Sequence, residues 1–301
     1  MRLIQNCLGW PLLLLGFLIT PLAAQVPSTG PQAGQKVAFF GDSITQLGWQ
    51  KPDGYVHLVQ MAFQQQGRDL VILPAGVGGN TSKDLLARFS RDILSKKPDW
   101  MTLNCGVNDV ARGKGGGIPL DQYQANITSI VDQATASGIK VMILTATMIG
   151  EDQASPQNQA LVPYNAFLHT LAQQKNLPLA DWNAAMQQAV TAARDETHQT
   201  ANLLTVDGIH PNGVGDEVLA TGLLKAFGFT APQIAQARDL WLDLPTGMPL
   251  NLGTTLSVRQ YLQLQILAAS QGRTVTDLVN ETLVRELRGM LLKASAPPPK
   301  R

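Results

Sequence analysis

From residue 36 onward, short apolar runs alternate with longer stretches of helical periodicity. That alternation narrows the fold more than any other feature of this 301-residue chain. Val37-Ala38-Phe39-Phe40, Leu70-Val71-Ile72-Leu73, Trp100-Met101-Thr102-Leu103 and Val141-Met142-Ile143-Leu144 predict strands, with a weaker one at Leu179-Ala180. Helices are predicted near 55–66, 82–95, 121–137, 160–175, 183–194 and 213–227. A strand with one wet face alternates apolar and polar side chains, whereas a continuously apolar strand is covered on both faces. Such strands separated by helices imply a parallel sheet between two helical layers. Sheets of this kind bind ligands at the carboxyl ends of their strands, so the loops just after the strands are where chemistry is expected. No repeat at solenoid periods interrupts the pattern.

Composition agrees with a folded core: 45% of residues are hydrophobic and 15% charged, unlike a disordered chain. A formal net charge of +1 supplies no general attraction to nucleic acid or an anionic membrane. Two cysteines make neither a disulfide scaffold nor a multi-cysteine zinc site, and no metal-ligand cluster is apparent; neither metal nor cofactor is expected.

Residues 1–24 have the form of a secretory signal, with Arg2, an apolar run over 12–19, and Thr20-Pro21-Leu22-Ala23-Ala24 as a small-residue end. The run is short of the ~20 apolar residues that span a bilayer, so cleavage after Ala24 and a secreted or periplasmic product without stable membrane insertion are expected. Cys7 precedes the apolar run and is not placed as a lipoprotein cysteine; its loss would leave only Cys105. Residues 25–35 are predicted to be a flexible leader, 36–230 the catalytic-type domain, 231–293 a helical C-terminal extension, and 294–301, with Pro297-Pro298-Pro299, a disordered tail.

Four loops contain the chemistry. Gly41-Asp42-Ser43-Ile44-Thr45 follows the first strand, Gly76-Val77-Gly78-Gly79-Asn80-Thr81 the second and Gly106-Val107-Asn108-Asp109 the third. Asp207-Gly208-Ile209-His210-Pro211-Asn212 precedes the helix near 213. In this order the four blocks resemble the SGNH branch of the GDSL esterase/lipase hydrolases over residues 36–229. The resemblance implies a three-layer α/β/α, flavodoxin-like fold and ester hydrolysis through a serine acyl-enzyme.

The same parts are required by the chemistry. A serine hydroxyl is a weak nucleophile until a base takes its proton, and histidine suits that role near neutral pH. A carboxylate on the other ring nitrogen fixes the tautomer and stabilises the imidazolium. Ser43, His210 and Asp207 can fill these roles, with Asp207 and His210 three residues apart in a turn. For the oxyanion, the backbone N–H groups of Ser43 and of a glycine in the second block, with the Asn108 side-chain amide, form the expected donor set. Alignment with the family makes the glycine Gly79. Family members often have Asn where Pro74 stands and Asp where Asn80 stands, which leaves Gly78 open as the donor.

Each residue has a plainer role to exclude. Ser43 could be a helix N-cap, Asn108 a turn residue, and Asp42 and Asp109 are expected to support their loops. Asp195 and His198 repeat the Asp-x-x-His spacing but follow a polar helical stretch, so they are expected at a solvated helix end. His57 and His169 are expected to be structural or on the surface, and Cys105 to be a buried apolar filler. The glycine-rich stretch 112–119, Trp49 and Tyr55 either line the substrate pocket or are loop and core. No frame matches a phosphate loop, and Thr45 breaks the G-x-S-x-G elbow.

Within the extension, Thr254 to Arg259 alternates as a strand would, and helices are predicted near 260–270 and from 274. Strand, helix and helix resemble a ribbon-helix-helix segment over about 40 residues. A signal peptide opposes DNA as a partner, and the expectation is a small dimerisation or docking element, with a homodimer through it as one outcome and a helical hairpin packed on the main domain as the alternative. The function expected is a secreted serine hydrolase acting on short acyl or acetyl esters, with carbohydrate as a candidate acyl carrier. The alternatives are a lysophospholipase or thioesterase and a non-catalytic binding module.

Overall fold

The computed structural model describes residues 30–198, 202–242, 244 and 258–294. Five parallel strands, β1 (Lys36–Gly41), β2 (Val71–Gly76), β3 (Trp100–Asn104), β4 (Lys140–Leu144) and β5 (Leu179–Ala180), lie in the order β2-β1-β3-β4-β5. The predicted strands are therefore found, in a parallel doubly covered sheet, with β2 beginning one residue and ending three residues later than predicted. β1 is an inner strand, pairing with β2 on one side (Gly41 with Gly76) and β3 on the other (Phe40 with Leu103). The ends of β1, β2 and β3, and the loops after them, consequently meet at one rim.

Alternation within the strands sends side chains into two cores. Val37, Phe39, Met142 and Leu144 face α2 (Tyr55–Gln65), α7 (Trp182–Thr197) and α8 (Gly213–Ala226). Ala38, Phe40, Met101, Leu103, Val141 and Ile143 face α3 (Ser82–Asp92), α5 (Leu120–Ala136) and α6 (Pro156–Gln174). Two shorter helices, α1 (Ser43–Gln50) and α4 (Val107–Ala111), begin directly after β1 and β3. The sequence contains no long periodic run at either place, because one or two turns are too short to register a 3.6-residue pattern.

The ends of the domain depart from expectation. Gly30 to Gln35 is tied down rather than flexible: Gly30 N donates to Phe227 O at 3.2 Å and Gly34 N to Asp69 O at 2.7 Å. Helix α9 (Ala231–Leu242), expected in the extension, packs on α2 and α8 and buries Ile234, Ala237 and Trp241 there. The described chain divides into two compact units, with the boundary between Met248 and Pro249. The second contains α10 (Val258–Ser270) and α11 (Val275–Ala294). Thr274 caps α11, with Asp277 N donating to Thr274 Oγ1 at 3.1 Å. Val258 and Arg259 begin α10 and do not end a strand; the rest of the predicted strand, with the signal segment and residues 295–301, lies outside the described residues.

Candidate active site

Ser43 sits at the first turn of α1, immediately beyond β1. It is not the N-cap. Asp42 takes that role, its Oδ1 accepting from Ile44 N at 2.9 Å. With the cap supplied one residue earlier, the Ser43 hydroxyl is left to point elsewhere, and its partner is the Nε2 of His210 at 2.8 Å.

His210 is held by its own loop. Asp207 Oδ2 lies 2.6 Å from His210 Nδ1, and Asp207 Oδ1 accepts from His210 N at 2.8 Å and Ile209 N at 3.0 Å. One carboxylate thus organises the turn with one oxygen and orients the imidazole with the other. Partial burial alone would raise the Asp207 pKa, but these N–H groups and the ring outweigh it and hold the carboxyl below its usual value. A charged acceptor at Nδ1 places the ring proton there and leaves Nε2 able to accept from Ser43. The three predicted residues therefore converge in one hydrogen-bonded chain.

The other Asp-x-x-His copy does not join them. His198 is the C-cap of α7 in the left-handed conformation, φ 56°, at a solvated helix end as expected. His169 Nε2 lies 3.1 Å from Asp181 Oδ2, and His57 stacks on Trp49 with ring centroids 4.4 Å apart. Tyr55 is wholly buried against Phe39 and Trp182 and is core rather than pocket lining.

The second and third blocks come together, and the second approaches Ser43: a Cβ built on Gly78 would lie 3.9 Å from Ser43 Cβ. Asn108 Nδ2 donates to Asn80 O at 3.1 Å. This bond uses one of the two amide hydrogens and orients the other. Gly78 N donates to Gln46 Oε1 at 2.7 Å, so that amide is occupied. Gly79 N has no acceptor among the described residues, whereas its carbonyl accepts from the Arg112 guanidinium. Gly79 has φ +74°, a left-handed conformation that favours glycine.

Buried polar groups hold these loops, and several escaped the sequence. Arg88 of α3 is 8% exposed. It donates to Gly41 O (2.7 Å), Ala75 O (2.9 Å) and Asn80 Oδ1 (2.6 Å), and its guanidinium lies 4.5 Å from the Phe40 ring centroid. It therefore bolts the ends of β1 and β2 to the loop that offers Gly79. The i, i+4 partner Asp92 is the one signal in the sequence, and it suggests only a surface pair. Asp109 supports its loop as expected, accepting from Ser82 N at 2.9 Å and Cys105 Sγ at 3.3 Å. Burial raises the pKa of Asp109 and of the Cys105 thiol, which keeps that sulfur protonated and inert.

Asp42 is buried and its Oδ2 has no hydrogen-bond partner among the described residues. Burial, reinforced by the nearby Asp109, pushes its pKa up to about 7 against the opposing effects of the Ile44 N–H and His210. Asp216 of α8 is also buried; it pairs with Lys51 and accepts from Tyr55 N at 3.0 Å, while Lys51 also donates to Pro211 O at 2.9 Å. Burial raises its pKa to about 6 although Lys51 opposes the shift.

Residues 39–218 match the model of the GDSL-like Lipase/Acylhydrolase family. The chain is 27% identical over 217 residues to an acetylxylan esterase of Geobacillus stearothermophilus, covering 65% of this chain and 95% of that one. It is 33% identical over 128 residues to Esterase TesA of Pseudomonas aeruginosa, covering 42% of this chain and 62% of that one. The crystal structure of the acetyl xylan esterase AlAXEase superposes with a TM-score of 0.60 at 32% identity, covering 64% of this chain and 98% of that one. Among the described residues no helix is long and apolar enough to cross a membrane.

Proposed function

Because the chain belongs to the GDSL-like lipase/acylhydrolase family and is an ester-hydrolysing enzyme, we propose that it is an exported serine esterase that removes short acyl groups, acetyl above all, from carbohydrate. The observation that carries the mechanism is the unbroken chain from Ser43 Oγ through the His210 ring to Asp207, with links of 2.8 and 2.6 Å. Ser43 Oγ attacks the ester carbonyl carbon while its proton passes to His210 Nε2. The carbonyl oxygen becomes an oxyanion, met by the N–H groups of Ser43 and Gly79 and by the free hydrogen of Asn108 Nδ2. Collapse expels the alcohol, which takes the proton back from Nε2. A water, deprotonated by the same nitrogen, then attacks the acyl-serine; the acid is released and the proton on Nε2 passes to Ser43 Oγ, restoring the hydroxyl. Asp207 keeps Nδ1 protonated and stabilises the imidazolium formed between these steps.

The acetyl preference is supported by the two acetylxylan esterases among the similar proteins, each covered almost end to end. Export is supported by the pattern of Arg2, the apolar run at 12–19 and Ala23-Ala24. The test is hydrolysis of 4-nitrophenyl esters of graded length and of acetylated xylooligosaccharides by wild type, Ser43→Ala, His210→Ala and His198→Ala. Turnover is expected to fall at least ~10³-fold in the first two variants and to persist in the third. Full activity in Ser43→Ala overturns the mechanism. A preference for long chains over acetate overturns the substrate assignment and favours a lysophospholipase or thioesterase.

A further inference from the structure

We infer that Glu151 is a positioning residue for the reaction, acting through the loop that holds Asp207 and His210; this rests on the assignment of those two residues just given. Glu151 lies beyond β4 in the rim turn 149–152 and is 4% exposed. A buried carboxylate is stable only where donors surround it. Its donors all come from one short segment. Oε1 accepts from Leu204 N (2.8 Å), Thr205 N (2.8 Å) and Thr205 Oγ1 (2.7 Å), and Oε2 from Leu203 N at 2.7 Å. Three consecutive backbone amides and a hydroxyl thus converge on one side chain 52 residues earlier, immediately before the turn that presents the base.

The attachment continues into that turn. Thr205 Oγ1 accepts from Gly208 N at 3.1 Å, and Gly150 N donates to Gly208 O at 2.7 Å. The two glycines are necessary: Gly208 has φ +91°, and a Cβ built on it would lie 3.3 Å from Gly150 Cα. The supporting turn is itself rigid, since Asn158 of α6 accepts from Ile149 N at 2.9 Å and donates to Gly150 O at 2.9 Å and Asp152 O at 2.7 Å. The loop of residues 203–210 therefore has little hydrogen-bonded support from a sheet of its own. Thr205 and Pro211 form one isolated bridge; Asn212 closes it through Leu203 O and Leu204 O at 2.9 Å each, Lys51 ties Pro211 O to the end of α1, and Glu151 ties residues 203–205 to the turn after β4. The half-exposed Asp207 and the His210 ring depend on these ties, among which Glu151 makes the most bonds. A displacement of about 1 Å of a catalytic group costs up to ~10²-fold in rate.

Two side chains test the assignment separately. Glu151→Ala removes all four acceptor contacts. Thr205→Val keeps the volume but deletes the hydroxyl that links Glu151 to Gly208, and Thr205→Ser restores it. In 4-nitrophenyl acetate hydrolysis, Glu151→Ala is expected to lower kcat ~10–100-fold with KM within about 3-fold, and Thr205→Val to lower kcat by ~5–10-fold, with wild-type kcat in Thr205→Ser. The far-downfield proton NMR signal of the His210 Nδ1–H, hydrogen-bonded to Asp207, is expected to weaken or broaden in Glu151→Ala and Thr205→Val and to stay in Thr205→Ser. A loss of folded protein alone would move none of these in samples normalised by active-site titration. Wild-type kcat and an unchanged signal in a folded Glu151→Ala overturn the inference; should that variant not fold, the same result in Thr205→Val does so. His210→Ala is run alongside. If it retains activity, the assignment of the base has failed, whatever Glu151 does.

Discussion

Replacing Asp42 with Asn probes the electrostatics beneath Ser43. Asn keeps the Oδ1 acceptor that caps α1 at Ile44 N and changes the other atom, Oδ2, which has no partner. The wild-type carboxyl has a native pKa raised from 3.8 to about 7, chiefly by burial. A group whose pKa is raised on folding binds more protons in the native state over the interval between the two values. Stability is then full below about pH 4 and is lost as pH rises toward 7. A shift of this size corresponds to roughly 4 kcal/mol, as an upper figure. At pH 4.5 the protonated acid buries one unpaired O–H donor and the amide two N–H donors, so the amide carries a small handicap there. Urea denaturation from pH 4.5 to 8 should therefore give a stability difference that is small, or slightly in favour of wild type, at the acid end. It should grow in favour of Asp42→Asn to a few kcal/mol at pH 8. Asp216 titrates in both proteins and largely cancels in the difference. A difference that stays constant over this range, or grows in favour of wild type, would refute the claim that Asp42 is held protonated by burial.

Three further outcomes follow from the site. Asn108→Ala should lower kcat ~10²–10³-fold with a small change in KM, because the amide acts on charge that develops in the transition state; steady-state kinetics on 4-nitrophenyl acetate decides it. Arg88→Ala should destabilise by about 3–5 kcal/mol, since two buried carbonyls and the partly buried Asn80 amide oxygen lose a charged donor; thermal unfolding should show a drop of roughly 6–20 °C. Lys51→Met leaves the Asp216 carboxylate without its cation and should cost about 2 kcal/mol at pH 8. Most of that deficit should vanish at pH 5, where the raised pKa lets Asp216 protonate; denaturation at the two pH values checks the sign.

What the sequence made legible was whatever depends on near neighbours. Val37 to Phe40 declares a strand covered on both faces because every side chain is apolar, and the Asp207–His210 spacing declares a turn because three residues suffice to close it. Ser43 is legible because strand-then-serine is a local pattern at a rim that the sheet order makes functional. The extension's start was misplaced because Ile234, Ala237 and Trp241 look like any amphipathic helix until α2 and α8 are there to receive them. Val258 and Arg259 show the reverse error: a brief polar–apolar alternation does not separate a strand from the first turn of a helix.

The groups that hold the rim together were hidden for a different reason. Glu151 follows a glycine and precedes an aspartate, which spells a solvated turn, yet its partners are backbone amides that carry no residue-specific signal. Arg88 reads as the surface half of a pair with Asp92, although most of its donors reach main-chain oxygens of β1 and β2 and the side chain of Asn80. In both cases a buried side chain leans on peptide groups: three of the four Glu151 donors and two of the four Arg88 acceptors are main-chain atoms. Peptide dipoles are available at every position, so a side chain that uses them leaves no partner to find by composition or spacing. The groups proposed to react are constrained by chemistry to be Ser, His and Asp, and are legible. Their supports need only a charge of suitable length aimed at the backbone, and are found once the loops have been brought together.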